Sequence, residues 1–366
     1  MMTVLQKFTF IPRMPLFLLC LITMLGILML VSAANGSLHP WAAKQMIRFT
    51  FGFIVMLGIT CINVRMFFDY AYLLYSISFV ALVAVELMGF VGMGAQRWID
   101  LYVFNFQPSE LMRLGLILTL ARYFHGLSQE EIARPFMLLS PIILIFAPTL
   151  LVMRQPDLGT AMLLMLSSAA IFFAAGVRLW KFAVVGGGIL TAIPLLWSLL
   201  HGYQKKRILI FLNPESDPAH AGYHIIQSKI ALGSGGLFGK GFLQGTQSHL
   251  NFLPEKQTDF IFTMFCEEFG LIGALFLITL YTSLIVCNVR IAMNARTTFA
   301  RLTALGLSAT LFLYVFINMA MVTGLLPVVG IPLPFFSYGG TAMLTLLISQ
   351  GILFSVHLHN DMRIVR

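Results

Sequence analysis

The sequence predicts an all-α polytopic membrane protein with about ten transmembrane helices and one large extracytoplasmic loop. Of its 366 residues, 59% are hydrophobic and only 10% are charged, whereas an average protein carries roughly 25% charged residues. The mean hydropathy of +0.90 excludes a soluble domain of ordinary composition. We therefore interpret residues 1–366 as a single membrane domain, interrupted by a polar loop at about residues 201–259.

Ten apolar runs define the predicted spans. In chain order they are Met14–Ala34, Ile47–Val64, Ala71–Phe90, Ser109–Tyr123, Met137–Val152, Thr160–Gly176, Phe182–Leu200, Phe260–Cys287, Leu302–Thr323 and Gly340–Leu358. A spanning helix needs about 20 residues, so the short fourth and fifth runs must extend into flanking polar residues. We expect the first run to be an uncleaved anchor, because its removal would leave an odd number of spans.

Lysine and arginine are distributed unequally between the two sides that ten spans define. The side with both termini carries Lys7, Arg13, Arg65, Arg122, Arg134, Arg178, Lys181, Arg290, Arg296, Arg301, Arg363 and Arg366; the short loops opposite carry Lys44, Arg48, Arg97 and Arg154. Cytoplasmic loops hold the excess of positive residues, and long loops cross the membrane largely regardless of charge. The pattern predicts cytoplasmic termini and a polar loop outside.

Several function classes are excluded by the same composition. The net charge of +9 follows mainly from topology, and no soluble basic face suggests a nucleic-acid partner. All four cysteines lie in apolar runs, so no disulfide or metal-binding spacing is present. The segment Gly233–Gly241 lacks the first glycine and the final Ser or Thr of a phosphate-binding loop.

Two outer loops have internal patterns. Within the long loop, Tyr223–Leu232 has the apolar spacing of a short amphipathic helix, which could lie in the membrane interface or pack on other loop residues. Its glycine-rich successor predicts a tight, close-packed turn. The last loop, Gly324–Gly340, contains three prolines and is expected to be irregular. Irregular backbone at membrane depth is tolerated where it lines a cavity, so we expect this loop to line one.

Ionisable residues in or near spans are costly and therefore are functional candidates. The outer set comprises Glu86, Arg97, Glu110, Arg113, Asp157, Asp259, Glu267 and Glu268. Glu110 and Arg113 are three residues apart, so they share a helix face. They form either a private ion pair or the charged wall of a cavity, and we favour the wall because the pair lies near the outer surface.

Two aspartates precede predicted helices. Asp157 is expected to bond the free amides of a helix N-terminus, and this structural role is slightly favoured over a functional one. Asp259 is expected to share a helical face with Thr263 and Glu267. It could be a helix cap, or a general base whose pKa balances the helix dipole against an apolar cavity. The position alone favours neither.

Several segments together resemble one family. They are Gly94–Asp100, Phe106–Leu111, Gln155–Gly159, Asn213–Asp217, Gly222–Lys229, Phe252–Phe260 and Pro332–Gly340. These motifs are similar to those of the SEDS family (shape, elongation, division and sporulation) along nearly the whole chain. The elongation members resemble the chain more than the division members do.

The resemblance implies a ten-span inverting glycosyltransferase of the bacterial cytoplasmic membrane. Such enzymes polymerise lipid II into peptidoglycan strands on the outer face and work with a class B penicillin-binding protein. The family's essential loop aspartate corresponds to Asp259, and its Pro-Ser-Glu glutamate corresponds to Glu110. Arg113 stands where the family usually has lysine, which keeps the charge but replaces a point charge with a planar fork.

Lipid II suits the residues of the outer face, since it presents an apolar tail, an anionic pyrophosphate and sugars at the membrane surface. We hypothesise that Asp259 is the general base and that Glu110 orients Arg113 or the acceptor. Asp157 is added to the predicted substrate-binding set. Cations predicted to stabilise the departing pyrophosphate are Arg97, Arg113, Arg207, Lys229 and Lys256. No ligand cluster in the sequence demands a cofactor, although a divalent cation could share the charge of the pyrophosphate.

Two other functions are compatible with this sequence. A transporter that flips lipid II would suit intramembrane charges and a proline-broken loop, but the charges gather toward the outer face rather than the midplane. A non-catalytic scaffold for the cross-linking partner would need neither Asp259 nor Glu110.

Overall fold

The computed structural model describes residues 10–88, 90–92, 95–100, 105–199, 202–213, 221–250, 252–253 and 255–360. Its helices are α1 (Arg13–Ala33), α2 (Ala42–Thr60), α3 (Val64–Met88), α4 (Pro108–His125), α5 (Gln129–Ala133), α6 (Leu139–Arg154), α7 (Leu158–Ala174), α8 (Leu179–Leu199), α9 (Gly202–Leu212), α10 (Ala221–Ser234), α11 (Thr246–His249), α12 (Ile261–Met293), α13 (Thr298–Val322) and α14 (Gly340–Leu358). A 3₁₀ turn, Pro135–Leu138, precedes α6. Three strands, β1 (Phe90–Gly92), β2 (Ala95–Asp100) and β3 (Asn105–Phe106), form a small antiparallel sheet in the order β1-β2-β3.

Each of the ten predicted apolar runs coincides with a helix. Seven helices of the described chain are long and apolar enough to cross a membrane, judged by length and composition, and α7 and α8 contain shorter apolar stretches. The prediction of a helical membrane protein is confirmed. The small sheet between α3 and α4 is an addition that the hydropathy pattern did not indicate, because its strands are short and pair locally.

The described part of the long polar segment, residues 202–213, 221–250, 252–253 and 255–259, is structured rather than open coil. It contains α9, α10 and α11, and α10 confirms the predicted helix at Tyr223–Leu232. The α10 helix packs on the membrane helices, because the hydroxyl of Ser228 lies 2.8 Å from that of Thr263 on α12 and donates to the carbonyl oxygen of Val322 on α13 at 2.8 Å. The α10 helix also contacts α9 and α11, so the predicted alternative of packing on other loop residues is met in part. Whether α10 also lies in the membrane interface stays a prediction.

The last loop has no regular helix or strand between Val322 and Gly340, as the three prolines predict. Buried contacts fix it: Tyr281 of α12 donates to the carbonyl oxygen of Pro334 at 2.6 Å. Gly26 of α1 allows close approach, because a Cβ there would lie 2.6 Å from the backbone of Phe336. A small recess along the loop is lined by Pro332, Leu333, Pro334, Phe335, Ser337, Gly339, Ala342, Met343 and Leu346.

The α12 helix consists of two segments joined at Gly270, whose φ of 65° and ψ of −163° are not helical. The glycine-rich turn after α10 fills the break. Its carbonyl oxygens at Gly236 and Leu237 accept the amides of Leu271 and Ile272 at 3.0 and 3.1 Å. In return, the amides of Lys240 and Gly241 donate to the carbonyl oxygens of Glu267 and Glu268 at 3.0 and 2.9 Å. The predicted tight turn is confirmed, and it replaces helical hydrogen bonds that the break removes.

Candidate active site

Asp259 lies in a turn that precedes α12, rather than on the helix. The turn covers residues 255–260, Phe260 is the residue before the first helical turn, and α12 begins at Ile261. The predicted helical face shared by Asp259, Thr263 and Glu267 is therefore wrong, because the helical register starts after the aspartate. Asp259 is also not the N-cap, and its side chain is half-buried.

Four hydrogen bonds connect this turn, α13 and the last loop. Asn318 of α13 donates through Nδ2 to the carbonyl oxygen of Asp259 at 3.0 Å and to that of Ile331 at 2.7 Å. The hydroxyl of Ser337 donates to the carbonyl oxygen of Thr258 at 2.6 Å. The amide of Tyr338 donates to the carbonyl oxygen of Gln257 at 2.9 Å. The backbone around Asp259 is thus held in one place by partners far away in sequence.

The carboxylate of Asp259 faces Gly330 of the last loop. A Cβ added to Gly330 would lie 3.5 Å from Asp259 Oδ2, and the φ of Gly330 is +71°. A glycine adopts this left-handed conformation without strain, and it keeps the loop backbone close to the carboxylate. The geometry suits a carboxylate that must be both fixed and reachable.

Glu110 and Arg113 form the ion pair that their spacing predicts. Arg113 Nη2 lies 2.6 Å from Glu110 Oε2, and the side chains are nearly fully buried. Tyr314 of α13 donates its hydroxyl to Glu110 Oε1 at 2.7 Å and also accepts from Arg113, while the guanidinium carbon lies 4.6 Å from the centre of the Tyr314 ring. We call these three residues the ionic triad. The pair is private and lies behind the surface, so the favoured interpretation of Glu110 and Arg113 as the charged wall of a cavity is wrong, because neither side chain is exposed.

One face of α13 connects the ionic triad to the turn at residues 255–260, which we call the aspartate turn. Tyr314 and Asn318 are four residues apart, so they project from the same side of the helix one turn from each other. Both are almost completely buried. The helix therefore places the charged pair of α4 and the anchor of Asp259 in adjacent layers.

The predicted cations occupy different environments. Lys256 is buried, which lowers the pKa of its ammonium, and it contributes with burial to lowering the pKa of His249. Lys229 is exposed on α10 and lies beside the last loop, since a Cβ on Gly324 would lie 2.8 Å from its Nζ. Arg97 lies on β2 and Arg207 on α9, but their side chains are outside the described residues.

Asp157 is the N-cap of α7, as predicted. Its carboxylate accepts the amide of Thr160 at 3.1 Å and the hydroxyl of the same residue at 2.9 Å. It also accepts from Gln107 Nε2 at 3.3 Å, and Gln107 directly precedes α4. A substrate-binding role for Asp157 stays a prediction; the observed bonds join the starts of α7 and α4.

The adjacent carboxylates of α12 hold the long loop in place. Glu267 accepts from Lys240 Nζ at 2.7 Å, from the amide of Gln247 at 2.9 Å and from the Thr246 hydroxyl at 3.2 Å. Glu268 accepts from the hydroxyl of Ser32 on α1 and lies 3.4 Å from His249 Nε2. These bonds give both carboxylates structural duties away from the aspartate turn.

Sequence reasoning did not identify Tyr314, Asn318 or Ser337. An asparagine inside an otherwise apolar helix is a detectable signal, since polar groups there must find partners. Tyr314 and Ser337 gave no such signal, because their partners Glu110 and Thr258 are remote in sequence. Among the described residues, no group of three or more His, Cys, Asp or Glu side chains could hold a metal ion, and the suggestion of a divalent cation stays untested.

The fold and site define a polytopic helical protein with a tethered carboxylate beside an irregular loop, and comparisons give its family. The chain matches the FtsW/RodA/SpoVE family model, described as cell cycle protein, over residues 12–362. It is 45% identical to the peptidoglycan glycosyltransferase MrdB of Escherichia coli (strain K12), with 96% of this chain and 94% of the relative covered. The stage V sporulation protein E of Bacillus subtilis (strain 168) is 35% identical over 93% of this chain and 96% of that protein.

Solved structures give the same result. A chain from a study of the structural coordination of polymerization and crosslinking by a peptidoglycan synthase complex matches with a TM-score of 0.84 and 29% identity, covering 96% of this chain and 99% of that one. The Thermus thermophilus rod shape determining protein RodA matches with a TM-score of 0.73 and 28% identity, covering 95% and 97%. The chain belongs to the FtsW/RodA/SpoVE family, which is the SEDS family that the sequence motifs resemble.

Proposed function

We propose that this protein is a peptidoglycan glycosyltransferase that polymerises lipid II on the outer face of the bacterial cytoplasmic membrane during cell elongation. The name of the 45%-identical relative supports the reaction class. The main support for the site is the position of Asp259. Its carboxylate faces Gly330, and Asn318 fixes its backbone by donating to its carbonyl oxygen. A reacting carboxylate needs this combination of fixed position and access.

In the proposed reaction, Asp259 accepts the proton of the acceptor sugar hydroxyl. The hydroxyl oxygen forms a bond to the anomeric carbon of the donor, and the bond from that carbon to the pyrophosphate oxygen breaks. The lipid pyrophosphate leaves with the bonding electron pair, so a single displacement inverts the anomeric centre. General-base assistance of this kind contributes typically 10²–10⁴-fold to a rate.

We assign the stabilisation of the departing pyrophosphate to positive side chains predicted to lie on the outer face. Those assigned to direct contact are Arg97, Arg207, Lys229 and Lys256. Arg113 is enclosed by Glu110 and Tyr314, so its contribution is a fixed charge behind the surface, and Glu110 orients it. Asp157 supports the pocket by holding Gln107 at the start of α4.

The proposed topology has ten spans and cytoplasmic termini. Seven of the described helices are long and apolar enough to span a membrane, and α7 and α8 contain shorter apolar stretches. The α4 helix supplies the remaining span; its charges are partly neutralised within the ionic triad, which reduces the cost of placing them in a membrane. The loop at 201–259 and the aspartate turn then lie on the outer face.

A class B penicillin-binding protein is the proposed partner. The structural relative studied in a peptidoglycan synthase complex, in which polymerization and crosslinking are coordinated, supports this assignment. The cross-linking partner would act on the strands that this chain produces.

The function is tested with purified protein in liposomes that contain fluorescent lipid II. Polymerisation is followed by the appearance of glycan strands, and transport by the protection of lipid II from a membrane-impermeant reagent. We expect strands to form without faster lipid II exchange between leaflets. Exchange without strands would instead establish a flippase, and neither activity, with or without the partner, would favour a scaffold.

A further inference from the structure

The glycine-rich turn that fills the break in α12 has a second feature besides its backbone bonds. It projects large apolar side chains outward: Leu237 is 60% exposed and Phe238 is 79% exposed. The turn backbone is rigidly seated, because Cβ atoms on Gly235 and Gly239 would lie 2.2 and 2.1 Å from carbonyl oxygens of α12. The exposure is therefore a property of a fixed element of the fold.

This apolar surface is continuous with the exposed face of α12. The ring of Phe242 lies 6.4 Å from that of Phe269, centre to centre. The amide of Ile272 bonds the carbonyl oxygen of Leu237, so Leu237 and Phe238 lie level with the break at Gly270. After the break, α12 also exposes the apolar side chains of Leu271, Ile272, Leu275 and Phe276. On a helical membrane protein, an exposed apolar surface that continues a spanning helix is expected to contact lipid or another protein.

The length of α12 places the patch at the edge of the membrane. The segment from Leu271 to Arg290 covers about 20 residues, which at ~1.5 Å per residue spans roughly 30 Å, the thickness of the hydrocarbon core. Arg290 lies in the last turn of α12 and marks the opposite boundary. On the other side of the break, Lys240 pairs with Glu267 at 2.7 Å, so charged groups begin where the apolar patch ends.

We propose that the turn Gly235–Gly241 is a membrane-inserted wedge, with Leu237 and Phe238 in the acyl chains of the outer leaflet. The occupant is lipid, because the patch continues the exposed apolar face of α12 and ends at charged groups at the expected depth. The wedge is joined to the segment of α12 that follows Asp259, so it fixes the depth of the aspartate turn relative to the bilayer. The assignment to the outer leaflet rests on the proposed topology, whereas insertion of the turn into the membrane does not depend on the proposed reaction.

The test uses single cysteines at positions 237 and 238, in a chain whose four native cysteines are replaced by serine. Each is labelled with a nitrobenzoxadiazole fluorophore and reconstituted in vesicles of brominated or unbrominated phosphatidylcholine. Leu275→Cys, on the exposed apolar face of α12, is the lipid control. Ser37→Cys, which is exposed in the loop between α1 and α2, is the water control.

We expect brominated lipid to quench labels at positions 237 and 238 to within about twofold of the label at position 275. Aqueous iodide should quench them far less than it quenches the label at position 37. Iodide quenching that matches position 37, without quenching by brominated lipid, would overturn the proposal. Protection from both quenchers would also overturn it and would indicate that protein covers the turn.

Discussion

Lys256 is a buried lysine within the turn that contains Asp259, and burial lowers the pKa of its ammonium. A lowered pKa means that the charge is lost at a lower pH than for an exposed lysine. If this charge stabilises pyrophosphate, polymerisation should fall as the pH rises through the lowered pKa. Arginine keeps its charge throughout that range. We therefore expect Lys256→Arg to retain activity at alkaline pH where the unmodified protein loses it.

The measurement is the pH dependence of kcat/KM for lipid II polymerisation. Lys44→Arg, the same change at an exposed lysine of α2, serves as the control and should leave the profile unchanged. Identical alkaline limbs for the Lys256→Arg and unmodified proteins would remove Lys256 from the charge-stabilising set.

Asn318 is a positioning residue because it donates to the carbonyl oxygens of both Asp259 and Ile331. Leucine has a similar shape but no donor, so Asn318→Leu leaves the buried carbonyl oxygen of Ile331 and the partly buried one of Asp259 without this partner. Each unsatisfied buried group costs about 1–3 kcal/mol, and misplacement of a reacting group by ~1 Å can cost 10²-fold in rate. We expect kcat to fall at least tenfold with KM within about twofold. A parallel loss of folded protein with unchanged kcat per folded molecule would show a purely structural role.

At the scale of secondary structure elements, the junction between the glycine-rich turn and α12 makes a steric prediction. A Cβ on Gly239 would lie 2.1 Å from the carbonyl oxygen of Glu268, at a φ of +80°. Gly233→Ala is the matched control, because Gly233 lies in α10 and its Cβ would meet nothing within 4 Å. We expect Gly239→Ala to destabilise the fold by about 1–3 kcal/mol and Gly233→Ala to be neutral or stabilising. Thermal unfolding in detergent measures both, and equal midpoints would contradict the observed junction.

The helices could largely be predicted from sequence, because a long apolar run is stable only where lipid or protein surrounds it. The pairing of Glu110 with Arg113 was also predictable, since their spacing puts them on one face. The break at Gly270 was not, because its missing hydrogen bonds are supplied by Gly236 and Leu237 in the preceding loop. The prediction that Asp259 shares a helical face with Thr263 and Glu267 was wrong for a related reason. The helix begins after a turn that is held by tertiary contacts, and not at a local cap.

The connections across the molecule could not be predicted from a single sequence. Tyr314 reaches Glu110 across 204 residues, and Asn318 reaches Asp259 across 59. Hydropathy and spacing contain no information on such pairs, which arise only when the helices assemble. The aspartate itself was found through the family motif, while the residues that hold it were found in the structure.

The membrane orientation of the whole molecule is tested by accessibility. In a cysteine-free chain, Leu325→Cys in the last loop and Met293→Cys at the end of α12 introduce thiols at positions that are 72% and 66% exposed. The positive charge bias predicts that the two lie on opposite sides. A membrane-impermeant maleimide should label position 325 in intact spheroplasts, and position 293 only after permeabilisation. The reverse pattern would place the aspartate turn in the cytoplasm and contradict the proposed topology.

The most direct test of the account is lipid II polymerisation by the Asp259→Asn protein. Asparagine keeps the size of the side chain but cannot accept the hydroxyl proton, so we predict a loss of at least about 100-fold in kcat with unchanged thermal stability. Asp69→Asn is the same change at an exposed carboxylate near the start of α3, and it should retain full activity. Strand synthesis by well-folded Asp259→Asn protein at a rate close to that of the Asp69→Asn control would contradict the central claim.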